Sequence, residues 1–463
     1  MMMNKNIYFL GIGGIGMSAL ARYFHKKGCA VAGYDKTPSP LTKKLEEEGI
    51  LIHYEDKPEL MPHEVDLVIL TPAIPSDSRE LNYLKEKEVK IIKRAEVLGE
   101  ISRHCKSVAV AGSHGKTTVT SLISHILHHA QKPMSAFIGG IAKNINSNVI
   151  IGDENDEVVV MEADEFDRSF LQLTPYISIV TSIDADHLDI YGDEDSVVEA
   201  FNQFVDKTAK DGVVICNHKL PIVTDRKKLT YGFEDADVMA RNVRVEDGMT
   251  KFEVVTTEGL ELGEYEMQLF GEHNIMNALA AIIACLQLNI DLKVVREGLT
   301  LFQGVARRFD IRVRNERVCY IDDYAHHPEE IKATLKAVRS IFPEKKLTLV
   351  FQPHLFSRTH DFMDEFAESL SLADQLLLME IYPAREKPMP GVTSSVLLEK
   401  VRCDKKRICQ KDELLDVIKD IQPELLVTMG ADLISVLRSF LITSNTFGTS
   451  VRSVNLPVTV FPV

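Results

Sequence analysis

Two glycine loops, each set between an apolar strand and a helix, constrain this chain more than any other feature. The first is Gly11-Ile12-Gly13-Gly14-Ile15-Gly16, which fits G-x-G-x-x-G and follows the apolar run 6–10 (NIYFL). Asp35 stands at the end of the next apolar run, 30–34. Glycines there permit a tight turn and the close approach of a diphosphate to a helix N-terminus. NAD and a UDP-sugar present the same pyrophosphate, so the loop does not identify its nucleotide. A glycine turn needed only for helix–strand packing would look alike. The second loop is Gly112-Ser113-His114-Gly115-Lys116-Thr117-Thr118, between a strand at 107–111 (SVAVA) and a helix at 119–130. A triphosphate needs backbone N–H groups around its oxygens, a lysine between phosphates and a hydroxyl for Mg²⁺. Gly115, Lys116 and Thr117 supply these, although Val110 occupies the first glycine position of a strict P-loop. Lys116 is expected at the loop surface, contributing charge and no packing.

The rest of the chain repeats the same alternation. Strands are read at 30–34, 67–71, 157–161, 177–181, 318–321, 347–351, 375–379 and 425–428, with helices at 18–27, 42–48 and 274–288. A β-hairpin is read at 251–266, turning at Glu258-Gly259, and a polar linker at 99–106. Strands alternating with helices imply α/β units with mostly parallel sheets. At 463 residues the chain is long enough for about three domains. A net charge of −15 disfavours general nucleic-acid or membrane-surface binding, so phosphate must be met by local devices. Seven scattered cysteines without a CxxC pair read as reduced thiols. No signal peptide is read before the first strand and no apolar run approaches a membrane span, so a soluble, cytoplasmic protein is expected.

Further chemistry-bearing stretches lie at strand ends. Glu162-Ala163-Asp164-Glu165 follows one strand and Asp184-Ala185-Asp186-His187-Leu188-Asp189 another. Ligands sit at such carboxyl ends, and carboxylates with a histidine beside a phosphate loop suit Mg²⁺. Solvated surface charge or helix caps would look the same. Gly271-Glu272-His273-Asn274-Ile275-Met276-Asn277 opens an apolar helix, with Asn274 a possible cap. Arg307-Arg308 suits phosphate charge and Asp323 a ribose hydroxyl.

The order of these stretches is specific. GIGGIGMS, GSHGKTT, EADEFDRSFL, DADHLDIYG, GEHNIMNALAA, RRFD, DDYAHHPEE and QPHLFSR, together spanning roughly residues 5–430, resemble the Mur ligases. The resemblance implies three domains: a Rossmann-like domain at 1–105 for a UDP-sugar, a central P-loop-type ATPase at 106–310 and a Rossmann-like ligase domain at 311–463. It implies that ATP, with Mg²⁺, phosphorylates the carboxylate of UDP-N-acetylmuramate, and that L-alanine then displaces phosphate from the acyl phosphate. Gly11, Gly13, Gly14, Ile15, Gly16 and Asp35 would bind the sugar nucleotide. The loop from Gly112 through Ser113, His114, Gly115, Lys116 and Thr117 to Thr118 would bind ATP. Thr117, Glu162 and His187 would hold metal. Asn274 and Asn277 match adenine-side positions, and Arg308 and Asp323 match positions reaching phosphates and ribose. His326, His354 and Arg358 match positions near the reacting carboxylate and the amino acid. Lys116, Glu162, His187, His326 and Arg358 are thus the candidate catalytic set. Because Arg308 and Asp323 belong to or border the third domain yet match positions that contact ATP held by the second, catalysis is expected to require domain closure. Monomer and homodimer stay open, as partners beyond the substrates do.

Three departures stand out. Many relatives carry a carbamylated lysine after the metal histidine, where this chain has Phe201-Asn202-Gln203-Phe204. Leu355 stands where some relatives have arginine. A late Gly-Ala-Gly-Asp reads Gly430-Ala431-Asp432, and residues 439–463 beyond it carry one charged side chain, Arg452. That tail reads either as a frame-altered end or as a divergent β-rich one. A nicotinamide-dependent oxidoreductase, a regulatory ATPase and a ligase recycling a preformed peptide are the competing functions.

Overall fold

The computed structural model describes residues 5–153, 156–184, 191–384 and 386–430, apart from the side chain of residue 167. His187 and the tail 439–463 therefore lie outside the described residues. The chain divides into two units, one of residues 1–268 with 274–305 and one of residues 269–273 with 306–463.

The first unit carries two sheets. One has β1 (Asn6–Leu10), β2 (Ala30–Tyr34), β3 (Leu51–His53), β4 (Leu67–Leu70) and β5 (Ile91–Lys93), in the order β3-β2-β1-β4-β5 and all parallel. Helices α1 (Ile15–Lys26), α2 (Pro40–Glu47), α3 (Arg79–Glu86) and α4 (Arg94–Ser102) connect or follow its strands. The strand order reverses beside β1, and the first glycine loop leaves β1 there, where open parallel sheets bind ligands.

The second sheet has ten strands: β6 (Lys106–Ala111), β7 (Met134–Ala142), β8 (Ser147–Ile150), β9 (Val158–Glu162), β10 (Ile177–Val180), β11 (Val213–Asn217), β12 (Lys227–Gly232), β13 (Val238–Glu246), β14 (Met249–Thr256) and β15 (Glu261–Met267). Their order is β15-β14-β13-β12-β11-β10-β6-β9-β7-β8. The run from β13 to β7 is parallel, and the two ends are antiparallel hairpins. The expected hairpin is β14–β15, with Gly259 at φ 78° in its turn. Helices α5 (Lys116–His129), α6 (Glu194–Asp206), α7 (Glu272–Gln287) and α8 (Leu292–Leu301) belong to this part of the chain.

The second unit has β16 (Asp310–Arg314), β17 (Cys319–Asp323), β18 (Leu347–Gln352), β19 (Gln375–Leu378), β20 (Lys405–Ile408) and β21 (Leu425–Gly430) in the order β16-β17-β21-β18-β19-β20, parallel except for β16. Its helices are α9 (Pro328–Ile341), α10 (Phe356–Asp361), α11 (Met363–Leu370), α12 (Ser394–Lys400) and α13 (Leu414–Ile421).

The stretch 99–106 is not a linker. Gly99 lies inside α4, and a Cβ on it would stand 2.4 Å from the Gln172 carbonyl oxygen. The polar pattern that suggested a linker belongs to the end of a helix that packs directly on that backbone.

A half-buried histidine gives α5 a pH dependence. His125 packs beside Phe302 and His129, at 5.7 and 6.5 Å between ring centroids. Burial, helped by the charges of His129 and His128, pushes it down to about 4 from an ordinary 6.5. The unfolded chain therefore takes up this proton first. The stabilisation is complete above pH ~6.5 and is lost as pH falls towards 4, amounting to about 3 kcal/mol. Urea unfolding of wild type and His125→Phe should show a shallower acid decline in the variant; equal slopes would refute the assignment.

Candidate active site

The second glycine loop lies at the carboxyl end of β6. Residues Val108 to Ala111 of that strand are wholly buried, as befits a parallel strand covered on both faces. The loop is fastened to the segment after β10. Ser113 N–H donates to the Ser182 carbonyl at 3.2 Å, His114 N–H to Ser182 Oγ at 2.9 Å, and Asp184 N–H to Ser113 Oγ at 2.8 Å. Thr181 Oγ1 donates to the His114 carbonyl. Gly115 is left-handed at φ 84°, and α5 starts at Lys116, with Thr117 and Thr118 buried in its first turn.

Asn277 reaches this loop: a Cβ on Gly115 would meet its Oδ1 at 2.5 Å. Asn274 and Asn277 are both buried and share a 3.3 Å hydrogen bond. Because α7 already starts at Glu272, Asn274 sits inside its first turn and is not the helix cap.

Lys116 is not a surface charge. Its Nζ lies 2.7 and 2.8 Å from the two carboxylate oxygens of Glu165 and donates to the Gly112 carbonyl at 2.5 Å. Glu165 is itself buried, and Tyr191 Oη donates to its carbonyl at 2.6 Å. Burial opposes the lysine's charge, but the carboxylates of Glu165, Asp164 and Glu162 outweigh it and raise Lys116 above its ordinary range.

Glu162 ends β9, the neighbour of β6. One carboxylate oxygen accepts from Thr117 Oγ1 at 3.3 Å and the other from Gly139 N–H at 2.5 Å. A hydroxyl and a carboxylate fit Mg²⁺, a hard cation that completes its shell with phosphate oxygens and water.

In the first glycine loop, Gly11 and Ile12 N–H groups both donate to the Tyr34 carbonyl, at 2.9 and 3.0 Å. Asp35 Oδ2 accepts from Gly13 N–H at 2.7 Å, so this acid holds the loop as well as ending β2. Gly14 precedes α1, whose first turn begins with Ile15 and Gly16. The missing Cβ of Gly16 admits the Arg94 guanidinium, which also pairs with Asp164 at 3.2 Å. Arg94 and Glu165, in contact with candidate site residues or loops, are residues that sequence reading missed. Glu165 was visible in the acidic motif; for Arg94 the bare glycine was the one local hint.

In the second unit, Asp323 ends β17 and is buried. Its carboxylate accepts from Phe309 N–H at 2.8 Å and Ala325 N–H at 2.7 Å. Burial pushes it up to about 6, against the opposing pull of Arg308 and those N–H groups. Arg307 and Arg308 both lie over the Tyr324 ring, at 4.7 and 5.4 Å. His326 is 6.2 Å from His354 between ring centroids, and His354 stacks on Tyr382 at 5.7 Å. Desolvation pushes His326 down to about 4 against the pull of Glu330, with Arg358 adding to the downward push. Arg358 is buried in α10. Leu355, just before that helix, has φ 73° and ψ 137°, a conformation costly for a residue with a Cβ. Here the structure gathers Asp323, His326, His354 and Arg358 around the carboxyl ends of β17 and β18.

Three family models match in sequence: the Mur ligase family catalytic domain over residues 6–106, the Mur ligase middle domain over 110–285 and the Mur ligase glutamate ligase domain over 307–432. The UDP-N-acetylmuramate–L-alanine ligase of Cytophaga hutchinsonii is 45% identical over 437 residues, 92% of this chain and 94% of that one. That of Flavobacterium psychrophilum is 48% identical over 432 residues, 92% and 95% of the two chains. The chain belongs to the Mur ligases. The crystal structure of UDP-N-acetylmuramate-alanine ligase from Thermotoga maritima superposes with a TM-score of 0.83 at 28% identity, covering 96% of this chain and all of that one. A murein peptide ligase from Psychrobacter arcticus shares the fold, with a TM-score of 0.71 at 22% identity over 97% of this chain and all of that one.

As a Mur ligase the chain is an ATP-dependent enzyme that forms a carbon–nitrogen bond. The stretch Phe201-Asn202-Gln203-Phe204, where a lysine was noted as missing, has a physical counterpart. Phe201 and Phe204 of α6 are wholly buried, and Phe204 stacks on Phe170 with centroids 5.1 Å apart and planes 8° from parallel. A charged side chain there would lie in an aromatic core. The last family model stops at residue 432, seven residues before the stretch 439–463 that carries one charged side chain.

Proposed function

We propose that this Mur ligase joins L-alanine to the carboxylate of UDP-N-acetylmuramate at the expense of ATP, in peptidoglycan precursor synthesis. The observation that carries this reading is the match along 92% of the chain to relatives named for that one activity. The loop bearing Lys116 and Thr117, with Glu162 on the neighbouring strand, supplies the phosphoryl-transfer chemistry the reaction needs. The same full-length match favours single amino-acid addition over peptide recycling, and a ligase over the oxidoreductase reading of GIGGIG. No helix among the described residues is long and apolar enough to cross a membrane, and with seven free cysteines this fits a cytoplasmic reaction.

In the first step a muramate carboxylate oxygen attacks the γ-phosphorus of ATP, the bond to the ADP oxygen breaks, and an acyl phosphate forms. Lys116 neutralises charge on the phosphoryl oxygens. Thr117 and Glu162, with His187 outside the described residues, would hold Mg²⁺, which supplies further positive charge at those oxygens. Gly11 to Gly16 hold the diphosphate of the sugar nucleotide, and Asn274 and Asn277 the adenine side of ATP. In the second step the alanine nitrogen attacks the acyl carbon, phosphate leaves, and the nitrogen loses its proton. Arg308 and Asp323 serve the nucleotide and His354 and Arg358 the carboxylates. His326, pushed down to about 4, stays neutral at pH 7.

Two tests follow. Hydroxylamine in place of alanine should trap the acyl phosphate as a hydroxamate in the presence of ATP and the sugar nucleotide; phosphate release without hydroxamate would contradict the mechanism. Glu162→Ala removes one of two described oxygen ligands, so half-saturation with Mg²⁺ should move up at least about tenfold. An unchanged Mg²⁺ titration would remove Glu162 from the metal set.

A further inference from the structure

One hairpin touches both proposed ligand loops. Strands β7 and β8 form the far edge of the ten-stranded sheet. On its inner side, β7 donates Gly139 N–H to Glu162 and brings Gly140 to Thr117, where a Cβ would meet Cγ2 at 3.1 Å. On its other side the hairpin packs on α1, and the segment just after it bonds the end of that helix. Lys26 Nζ donates to the Ile151 carbonyl at 2.9 Å and Lys27 Nζ to the Gly152 and Asp153 carbonyls at 3.1 and 2.6 Å. Tyr23 meets Phe137 edge-on, 5.3 Å between centroids.

The bond nearest the glycine loop comes from Asn148 of β8. Its side chain is wholly buried. Oδ1 accepts from Arg22 Nη1 at 2.8 Å, while Nδ2 donates to the Ile15 carbonyl at 2.6 Å and to Ser18 Oγ at 3.1 Å. Arg22 is in turn fixed by Glu48 at 2.7 Å. Ile15 is the first residue of α1, and Ser18 N–H closes that turn on the Gly14 carbonyl at 2.8 Å. A buried amide with both donors and its oxygen engaged has one stable orientation. It therefore fixes the start of α1, and with it the end of the Gly11–Gly16 loop, against the hairpin whose other strand, β7, bonds Glu162.

We infer that Asn148 is a positioning residue that sets the first glycine loop in register with the phosphate loop, so that the sugar nucleotide's carboxylate meets the phosphoryl group of ATP. This rests on the functional reading above. Displacement of reacting groups by about an ångström costs up to about 100-fold in rate without a matching loss of binding. Asn148→Asp is the decisive variant. It preserves volume and the pairing with Arg22, but a carboxylate cannot donate to the Ile15 carbonyl and repels it.

The experiment measures kcat for ligation per folded molecule, with separate dissociation constants for UDP-N-acetylmuramate and an ATP analogue, in wild type, Asn148→Asp and Ser18→Ala. The expected result for Asn148→Asp is a kcat lower by about 10- to 100-fold, with both dissociation constants within about threefold of wild type. Ser18→Ala, which keeps the Ile15 bond, stays near wild type. A kcat for Asn148→Asp within about twofold of wild type, or a loss confined to sugar-nucleotide binding, overturns the inference. Absence of ligation by the wild-type arm overturns the functional reading itself, and the inference with it.

Discussion

Lys116→Ala is expected to lower ligase turnover by about 10³-fold or more, because the reaction loses the side chain that faces developing phosphoryl charge. It also has a structural cost that the sequence did not suggest. The variant strands the Glu165 carboxylate, whose side chain is 6% exposed and whose ammonium partner lies 2.7 Å away. Leaving one member of a buried pair unpaired costs about 3–5 kcal/mol, less where the carboxyl takes up a proton instead. Adding Glu165→Gln removes the stranded charge, so Lys116→Ala with Glu165→Gln should recover most of the stability and none of the turnover. Urea unfolding and steady-state ligation measure the two effects separately. Near-wild-type turnover in the single variant would remove Lys116 from the phosphoryl site. A double variant no more stable than the single one would show that the ion pair contributes little.

The second large effect is expected from Gly112→Ala. Gly112 has φ 136°, and an added Cβ would stand 2.1 Å from Thr181 Oγ1 and 2.9 Å from Ser182 N. Neither neighbour can withdraw freely, because Thr181 Oγ1 also bonds the Ala111 carbonyl at 3.2 Å and the segment after it holds Ser113 and His114. Backbone strain and overpacking together should cost about 2–5 kcal/mol. In the folded fraction the loop is displaced, and affinity for an ATP analogue should fall by about 100-fold while that for the sugar nucleotide stays near wild type. Fluorescence titration with each ligand distinguishes this from global loss. Equal affinity for ATP in wild type and variant would show that the loop tolerates the methyl group.

Much of the fold was legible because its causes are local. Apolar runs at 6–10 and 107–111, each closed by a glycine loop and a helix, became β1 and β6 with α1 and α5 behind them. The hairpin β14–β15 announced itself through alternation and Glu258-Gly259. What escaped reading depends on partners distant in sequence. Lys116 and Glu165 are 49 residues apart, Arg94 and Asp164 70, and Asn148 and Ile15 133. No periodicity records such pairs. The stretch 99–106 suggested a linker because the polar end of a helix looks, in sequence, like a connection between domains. Asn274 looked like a cap because nothing local told that the helix starts two residues earlier. The candidate residues of the second unit were found through their order along the chain; their gathering at the ends of β17 and β18 follows from the parallel pairing of both strands with β21.

The most direct measurement of the central claim incubates the full chain with UDP-N-acetylmuramate, Mg-ATP and single amino acids, following phosphate release together with the mass of the sugar nucleotide. Phosphate release that needs all three components, with one alanine added to the nucleotide per phosphate, is the predicted result. Phosphate released without the sugar nucleotide and amino acid together, or a product unchanged in mass, would contradict it.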